Sequence, residues 1–339
     1  MTSQPENNVF LNVNYGWAFY VTNTRLLDNQ VYFDAARWRA LNQRWYESGR
    51  PYREIDEVDG TPNPWLQRWL RHPDYDAYWQ AMIPFGDDYA KIQIPVLTIT
   101  GYYDDGQISA LHYLREHVKY NPRAEHYLLI GPYQHFSAQA ARKPPVAAKA
   151  IIFRWMDHVM RGGPRPAILA DKINYEVMGA NRWKHAPSID RMASEVLTLY
   201  LDDTPSGAHR TLSPIRPARP GYLEQTVDLA DRTTSTNDYY YPSPIITGPL
   251  ALTSGYAYVS APFDAPVSVD GMLTGELRVR IDKLDLEISV VLYEVMPDGQ
   301  LFHLSYFLGR ASYARDMTRR RLLSSPQEQD HASPLHRSM

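Results

Sequence analysis

Two acids and a histidine follow the chain's two most strand-like runs. Asp104 and Asp105 come after Pro95–Thr100, in IPVLTITGYYDDGQ, and His135 comes after His126–Ile130, in AEHYLLIGPYQH. In an open parallel sheet, ligands and chemistry gather outside the carboxyl ends of the strands. The two loops are therefore expected to emerge side by side. A carboxylate that orients an imidazole forms the rear half of a nucleophile–base–orienter triad. Aspartate is also a common turn residue, so the DDG segment by composition alone reads first as a turn.

The elements around these residues follow from pattern. Ile94–Gly101 and Glu125–Gly131 read as strands. Ile108–Val118 carries Ile108, Leu111, Leu114 and Val118 on one helical stripe, and Pro144–Met160 is a second, largely apolar helix stopped by Gly162, Gly163 and Pro164. Strand–helix–strand–helix order implies parallel pairing in a covered sheet. Two strands do not make such a sheet, so further strands must join them.

Upstream, residues 9–90 are rich in Trp and Tyr and helical in pattern. Trp38, Leu41 and Trp45 share a helical face in Asp34–Tyr46, and Asn63–Pro64 opens another helix as cap and first-turn proline. His72–Met82 reads as a further helix with Tyr75, Tyr78, Trp79 and Met82 along one side. Downstream of Asp171 the pattern is all-β. Runs Lys172–Met178, Glu195–Leu201, Leu250–Val259, Val267–Arg280, Leu286–Val295 and Gln300–Arg310 are separated by turns such as Met296–Gly299, as in a sandwich or jelly roll. Thr204–Asn237 is a long Pro-rich connection, and Ser324–Met339 is polar and non-periodic, expected to be disordered.

Composition narrows the function classes. The chain has 339 residues, 44% hydrophobic and 22% charged, as in globular proteins. A net charge of −3 gives no electrostatic case for nucleic acid. The absence of cysteine removes disulfides, thiol nucleophiles and cysteine-based zinc sites. His112 and His117 stand five apart, off one helical face, so no metal is expected. No apolar run nears the roughly 20 residues that span a bilayer. MTSQPENN has no signal-peptide pattern, which leaves cytoplasm and periplasm both open.

Four segments, in order, resemble the serine hydrolases that include X-prolyl dipeptidyl-peptidases, cocaine esterase, α-amino-acid ester hydrolases and glutaryl acylases. They are His72-Pro73-x-Tyr75-Asp76-x-Tyr78-Trp79, then Ile94-Pro95-Val96-Leu97 running into Gly101-Tyr102-Tyr103-Asp104. Gly131-Pro132-Tyr133-x-His135 and Tyr175-x-Val177-Met178-Gly179-x-Asn181-x-Trp183 follow, and the likeness fades after about Leu323. The resemblance implies an α/β plus all-β chain: a helical cap (1–91), the C-terminal part of an α/β-hydrolase core (92–165), a jelly-roll β-sandwich (166–323) and a tail (324–339). It implies Asp104 as the triad acid and His135, 31 residues later, as the general base. It implies no cofactor, and a small peptide, amide or ester as substrate. Tyr103 and Tyr133, with Tyr102, either line a pocket or pack the loops. Trp79 either walls an acyl or amine subsite or packs the cap. Asp74 and Asp76 are accounted for by the acidic preference of a helix N-terminus.

The nucleophile is missing from this pattern. The elbow serine of an α/β-hydrolase sits in G-x-S-x-G and precedes the acid and the base in sequence. None of the 18 glycines has serine two positions later, and only Ser3 and Ser48 precede Asp104, neither after a strand. The expectation is a hydrolase lacking its N-terminal half, close to inactive alone. The alternatives are a non-catalytic binding protein, or a subunit that works with an N-terminal complementing chain or as a homo-oligomer.

Overall fold

The computed structural model describes residues 14–23, 27–103, 106–134, 148–233, 245–249, 255–323 and 333–338. Six helices come first: α1 (Asn14–Thr22), α2 (Asn29–Tyr32), α3 (Ala35–Ser48), α4 (Ile55–Asp59), α5 (Pro64–Leu70) and α6 (Ala77–Gln80). Asp34 caps α3 by accepting from the Arg37 N–H, and Gly49, at φ 67°, stops it. Trp38, Leu41 and Trp45 point inward as their spacing predicts, and pack with Tyr15, Ala18, Ile55 and Leu66.

Asn63 holds this helical region together. It is fully buried, and its Oδ1 caps α5 by accepting from the Leu66 N–H at 2.8 Å. Its Nδ2 donates to Thr22 Oγ1 and Asn23 Oδ1, and its N–H donates to Asp56 Oδ2. One side chain thus joins the end of α1 to the start of α5, and its backbone reaches α4. Asn63→Ala is expected to cost about 2–3 kcal/mol, a lost cap plus buried partners left unpaired. A urea titration followed by tryptophan fluorescence reads this as a lowered midpoint.

The His72–Met82 run forms less helix than its periodicity predicts. Only Ala77–Gln80 is α-helical. Asp76 accepts from the Tyr78 N–H and, at 2.6 Å, meets His72 Nδ1, so its carboxylate starts the helix there. The Tyr75 N–H donates to the Met317 carbonyl, which draws that residue out of helical pairing. The adjacent Asp74 accepts from Tyr313 Oη at 2.7 Å. A turn tied to a distant part of the chain replaces the first half of the expected helix.

The α/β part is built from β1 (Val96–Tyr103), α7 (Gly106–Tyr120), β2 (His126–Gln134) and α8 (Ala148–Arg161). β1 and β2 pair in parallel, as expected. The further strands come from β3 (Ile173–Val177), parallel to β2, and β4 (Arg182–Ala186), antiparallel to β3, giving the order β1-β2-β3-β4. The run Lys172–Met178, grouped by pattern with the all-β region, therefore belongs to this sheet. The alternation of INYEV suits a sheet of either kind, and the sequence does not show which one takes it.

β2 is the buried centre, and its two faces explain both helices. Leu128 and Ile130 pack with Leu111 and Leu114 of α7 and with Ile173 and Tyr175. Tyr127 and Leu129 face Ile151 and Trp155 of α8, together with Leu97 and Ile99. Side chains of period two fill two layers, one on each side.

The remaining strands are β5 (Tyr200–Ser206), β6 (His209–Ser213), β7 (Ile246–Thr247), β8 (Tyr258–Val259), β9 (Met272–Leu277), β10 (Glu287–Val295), β11 (Leu301–Arg310) and β12 (Ser333–Ser338). They form sheets of order β10-β11-β7, β12-β9 and β5-β6-β8. The β10–β11 hairpin turns at Met296–Gly299, with Gly299 at φ 80°. Two expectations change here. Thr204–Asn237 contains β6, which pairs with β5. Residues 333–338, expected to be disordered, pair antiparallel with β9 across six positions. The free edge of β9 supplies backbone partners that the polar composition of that segment does not announce. Met272 of β9 also packs on the α7 side of the α/β core.

Candidate active site

β1 and β2 end together. Tyr103 is the parallel register partner of Gln134. The next residues in sequence are Asp104 after β1 and His135 after β2. Asp104, Asp105 and His135 themselves lie outside the described residues. What the structure supplies is the frame: adjacent strands, pointing the same way, whose last residues are paired. β1 runs to Tyr103 and α7 from Gly106, and only Asp104 and Asp105 lie between them in the sequence.

Two glycines shape this end of the sheet. Gly101 and Gly131 are register partners, and the register then shifts, with an extra residue on β2 before Tyr103 meets Gln134. The shift folds Tyr133 back over both glycines. A Cβ on Gly101 would stand 2.1 Å from the Tyr133 carbonyl oxygen, and one on Gly131 would stand 2.4 Å from the Tyr133 ring. Close approach of the Tyr133 backbone requires glycine at Gly101, whereas at Gly131 the neighbour is the Tyr133 side chain. A bulge at the end of a strand re-aims the residue that follows it.

The tyrosines expected near the site are at this end. Tyr133 is buried, and burial, helped by the nearby Glu176 carboxylate, pushes its phenol up to about 12. Tyr103 Oη donates to Met178 Sδ at 2.7 Å, and its ring meets Phe302 of β11 edge-on, with centroids 6.2 Å apart. Burial also raises the Tyr103 and Tyr102 phenols. All three stay neutral at ordinary pH and present aromatic faces and hydroxyls rather than charge.

Trp79 is engaged elsewhere. Its Nε1 donates to the His72 carbonyl at 2.7 Å, and its ring meets Tyr78 edge-on, so its recorded contacts hold its own turn. The structure brings Tyr103 and Tyr133 to one sheet end and gives no contact between Trp79 and them.

Sequence reasoning missed Phe302, Met178 and Glu176. Phe302 sits in a β-rich run more than 190 positions from Tyr103, and nothing in its pattern signals the approach. Met178 and Glu176 lie within the fourth resembling segment, but strand periodicity does not reveal that β3 joins β2. Burial raises the Glu176 carboxyl above the ordinary carboxylate value. Among the described residues, no group of three or more His, Cys, Asp or Glu side chains is placed to hold a metal ion.

Comparison with known proteins places this geometry. Over its whole length the fold resembles an aminopeptidase from the marine sediment archaeon Thaumarchaeota archaeon, at TM-score 0.72 and 16% identity, covering 99% of this chain and 58% of that one. It also resembles an α-amino acid ester hydrolase, at TM-score 0.57 and 18% identity, over 84% of this chain and 52% of that one. The chain thus spans somewhat more than half the length of each. No curated protein matches it. Residues 4–137 match the X-Pro dipeptidyl-peptidase (S15 family) model, a span that runs from the helical region through β2 to just beyond His135. That span is less than half of the chain, and through it the chain is similar to the X-Pro dipeptidyl-peptidase family, S15.

Proposed function

We propose that this chain carries the acid and the base of a serine hydrolase that cleaves peptide, amide or ester bonds through an acyl-enzyme. The pairing of Tyr103 with Gln134 carries the reading, because Asp104 and His135 are the next residues after two neighbouring strand ends. In the reaction a serine Oγ attacks the substrate carbonyl carbon while His135 takes its proton. The tetrahedral intermediate collapses, the C–N or C–O bond breaks, and the leaving group takes the proton from His135. Water then repeats the sequence on the acyl-serine and releases the acid. Asp104 holds the His135 ring and stabilises its imidazolium form. Tyr103, Tyr133 and Phe302 wall the space beside the pair, and the β-rich region is a jelly roll that brings Phe302 there. The four resembling segments and the match of residues 4–137 to the X-Pro dipeptidyl-peptidase (S15 family) model support this reading.

The nucleophile is supplied by polypeptide outside these 339 residues. The absence of any G-x-S sequence and the unmatched lengths of both structural relatives support that assignment. Loss of a triad serine costs on the order of 10⁴–10⁶ in turnover, so the chain alone is expected to be nearly inert. Fluorophosphonate treatment read by intact mass is expected to give no adduct. A stoichiometric adduct that disappears in His135→Ala would mean that a serine within this chain completes the triad.

A further inference from the structure

We infer that the closed loop of residues 312–321, with Lys283 and Leu284 beside it, is a docking surface for an anionic phospholipid bilayer. Such a contact lies on the membrane surface and needs no spanning segment. The loop follows the end of β11 and returns to its own start, where the Arg321 N–H donates to the Ser312 carbonyl at 2.8 Å. Ten residues whose ends meet form an Ω-loop, a compact surface element that is frequently functional. The Leu323 N–H then donates to the Leu284 carbonyl at 2.9 Å, which sets Leu322 close to Lys283 and Leu284.

The loop concentrates positive charge. Residues 310–321 read RASYARDMTRRR, five arginines and one acid in a chain whose net charge is −3. Arg319, Arg320 and Arg321 are the only three consecutive cations in the sequence. The carboxylates here are engaged inward. Asp285 accepts from the Ser312 N–H at 3.0 Å, from Ser312 Oγ at 2.7 Å and from Arg320 at 2.8 Å. Asp316 accepts from the N–H and the hydroxyl of Thr318. Thr318 first, then Arg321 and Arg319, hold the Asp316 carboxyl below its ordinary value, so these two arginines stand around one carboxylate. Arg315, Arg319 and Arg321 are exposed and form no ion pair among the described residues. Lys283 is exposed as well, and its ion-pair contact is the adjacent Asp282 at 3.4 Å.

The loop is also held from below and edged with hydrocarbon. Tyr313 is buried and bonds to Asp74, and the Met317 carbonyl accepts from the Tyr75 N–H at 2.9 Å. Cations on a loop that is already ordered lose little freedom when a partner arrives. Leu322 and Leu284 are 51% and 52% exposed at the same place. Arginine stems are themselves apolar, and they lie along hydrocarbon while the guanidinium group reaches polar headgroups.

An anionic bilayer offers both things this surface asks for, negative headgroups for the arginines and acyl chains just beneath for the two leucines. A single-stranded nucleic acid would need aromatic rings to stack on, and Tyr313, the one aromatic residue of the loop, is turned inward. An acidic protein supplies carboxylates without a hydrocarbon layer. Charge is screened within about 8 Å at physiological salt, so the bilayer meets this face and not the net charge of the chain. Three unpaired arginines correspond to roughly a hundredfold in partition. The surface stands apart from the hydrolase reading and does not depend on it.

The test is sedimentation of the full chain with vesicles of phosphatidylcholine alone, or with about one third phosphatidylglycerol, at about 0.1 M salt. Neutral vesicles measure what other exposed apolar side chains contribute. The anionic vesicles are expected to bind the chain roughly tenfold more tightly or better, and about 0.5 M salt is expected to release it, a readout that needs no variant. Arg315→Glu, Arg319→Glu and Arg321→Glu together are expected to erase the difference at an unchanged urea midpoint. Arg315→Lys, Arg319→Lys and Arg321→Lys together are expected to keep it, since the attraction is to charge. Leu322→Gln is expected to weaken anionic binding roughly threefold. Equal binding to both vesicles, or a difference that survives the three glutamates, would overturn the surface. Binding to polyglutamate with none to anionic vesicles would overturn it too, and would assign the loop to an acidic protein.

Discussion

Gly101→Ala is expected to lower the stability of the chain by about 3 kcal/mol, near the top of the usual overpacking range. The obstacle to the new methyl group is backbone. A Cβ at Gly101 would meet the Tyr133 carbonyl oxygen at 2.1 Å and its carbonyl carbon at 2.6 Å, and no change of rotamer relieves that. Relief requires β2 to shift at the bulge, breaking the pairing of Tyr103 with Gln134. Gly131→Ala should cost less, about 1 kcal/mol, because the atoms it meets belong to the Tyr133 ring, which can swing. Urea titrations of the two variants give the order directly. Equal losses, or a Gly101→Ala variant as stable as the parent, would contradict the packing described at the sheet end.

The second large effect is acid sensitivity at the opposite end of β2. His117 and His126 are buried against each other, Nδ1 to Nδ1 at 3.0 Å. His117 Nε2 faces the Ile92 carbonyl and must carry hydrogen, so in the neutral ring its Nδ1 accepts. His126 Nδ1 then donates, and its Nε2 accepts from Thr98 Oγ1 at 2.8 Å. Two neutral rings satisfy every contact. Burial first, then His117 and Lys172, lowers the His126 pKa from 6.5 to about 4. The unfolded chain thus binds the proton more readily than the folded one. The contribution is fully present above pH 6.5 and is lost as pH falls toward 4, at about 1.4 kcal/mol per pH unit. Between pH 7 and 4.5 the loss is roughly 2–3 kcal/mol. His126→Gln should flatten the stability profile by that amount across this window. An unchanged slope would show that other groups set the acid limit.

Much of the α/β frame was legible because its signals are local. β1, α7, β2 and α8 each announce themselves by period and by turn residues, and parallel pairing follows from their order. The Asn63 cap is equally local. Long-range choices were not legible. β3 leaves the β-rich run to join β2, residues 333–338 find the edge of β9, and the turn before α6 is set by Met317 and Tyr313. At the site, the sequence offered Asp104, His135, Tyr103 and Tyr133. The structure supplies the paired strand ends that precede the first two in sequence and places the tyrosines at those strand ends. Phe302 and Met178 arrive through tertiary packing, which no spacing in the chain encodes.

The bond between Tyr313 and Asp74 spans 239 positions of the chain. At a ribosomal pace of about 5–20 residues per second, Asp74 waits roughly ten seconds to a minute for its partner to be made. During that interval the turn ahead of α6 has its own capping by Asp76 but neither the Tyr313 hydroxyl nor the Met317 carbonyl. The helical region therefore reaches its final form only after Tyr313 and Met317 have been made, and a ribosome stalled before them in the β-rich region would leave that turn open to proteases and chaperones.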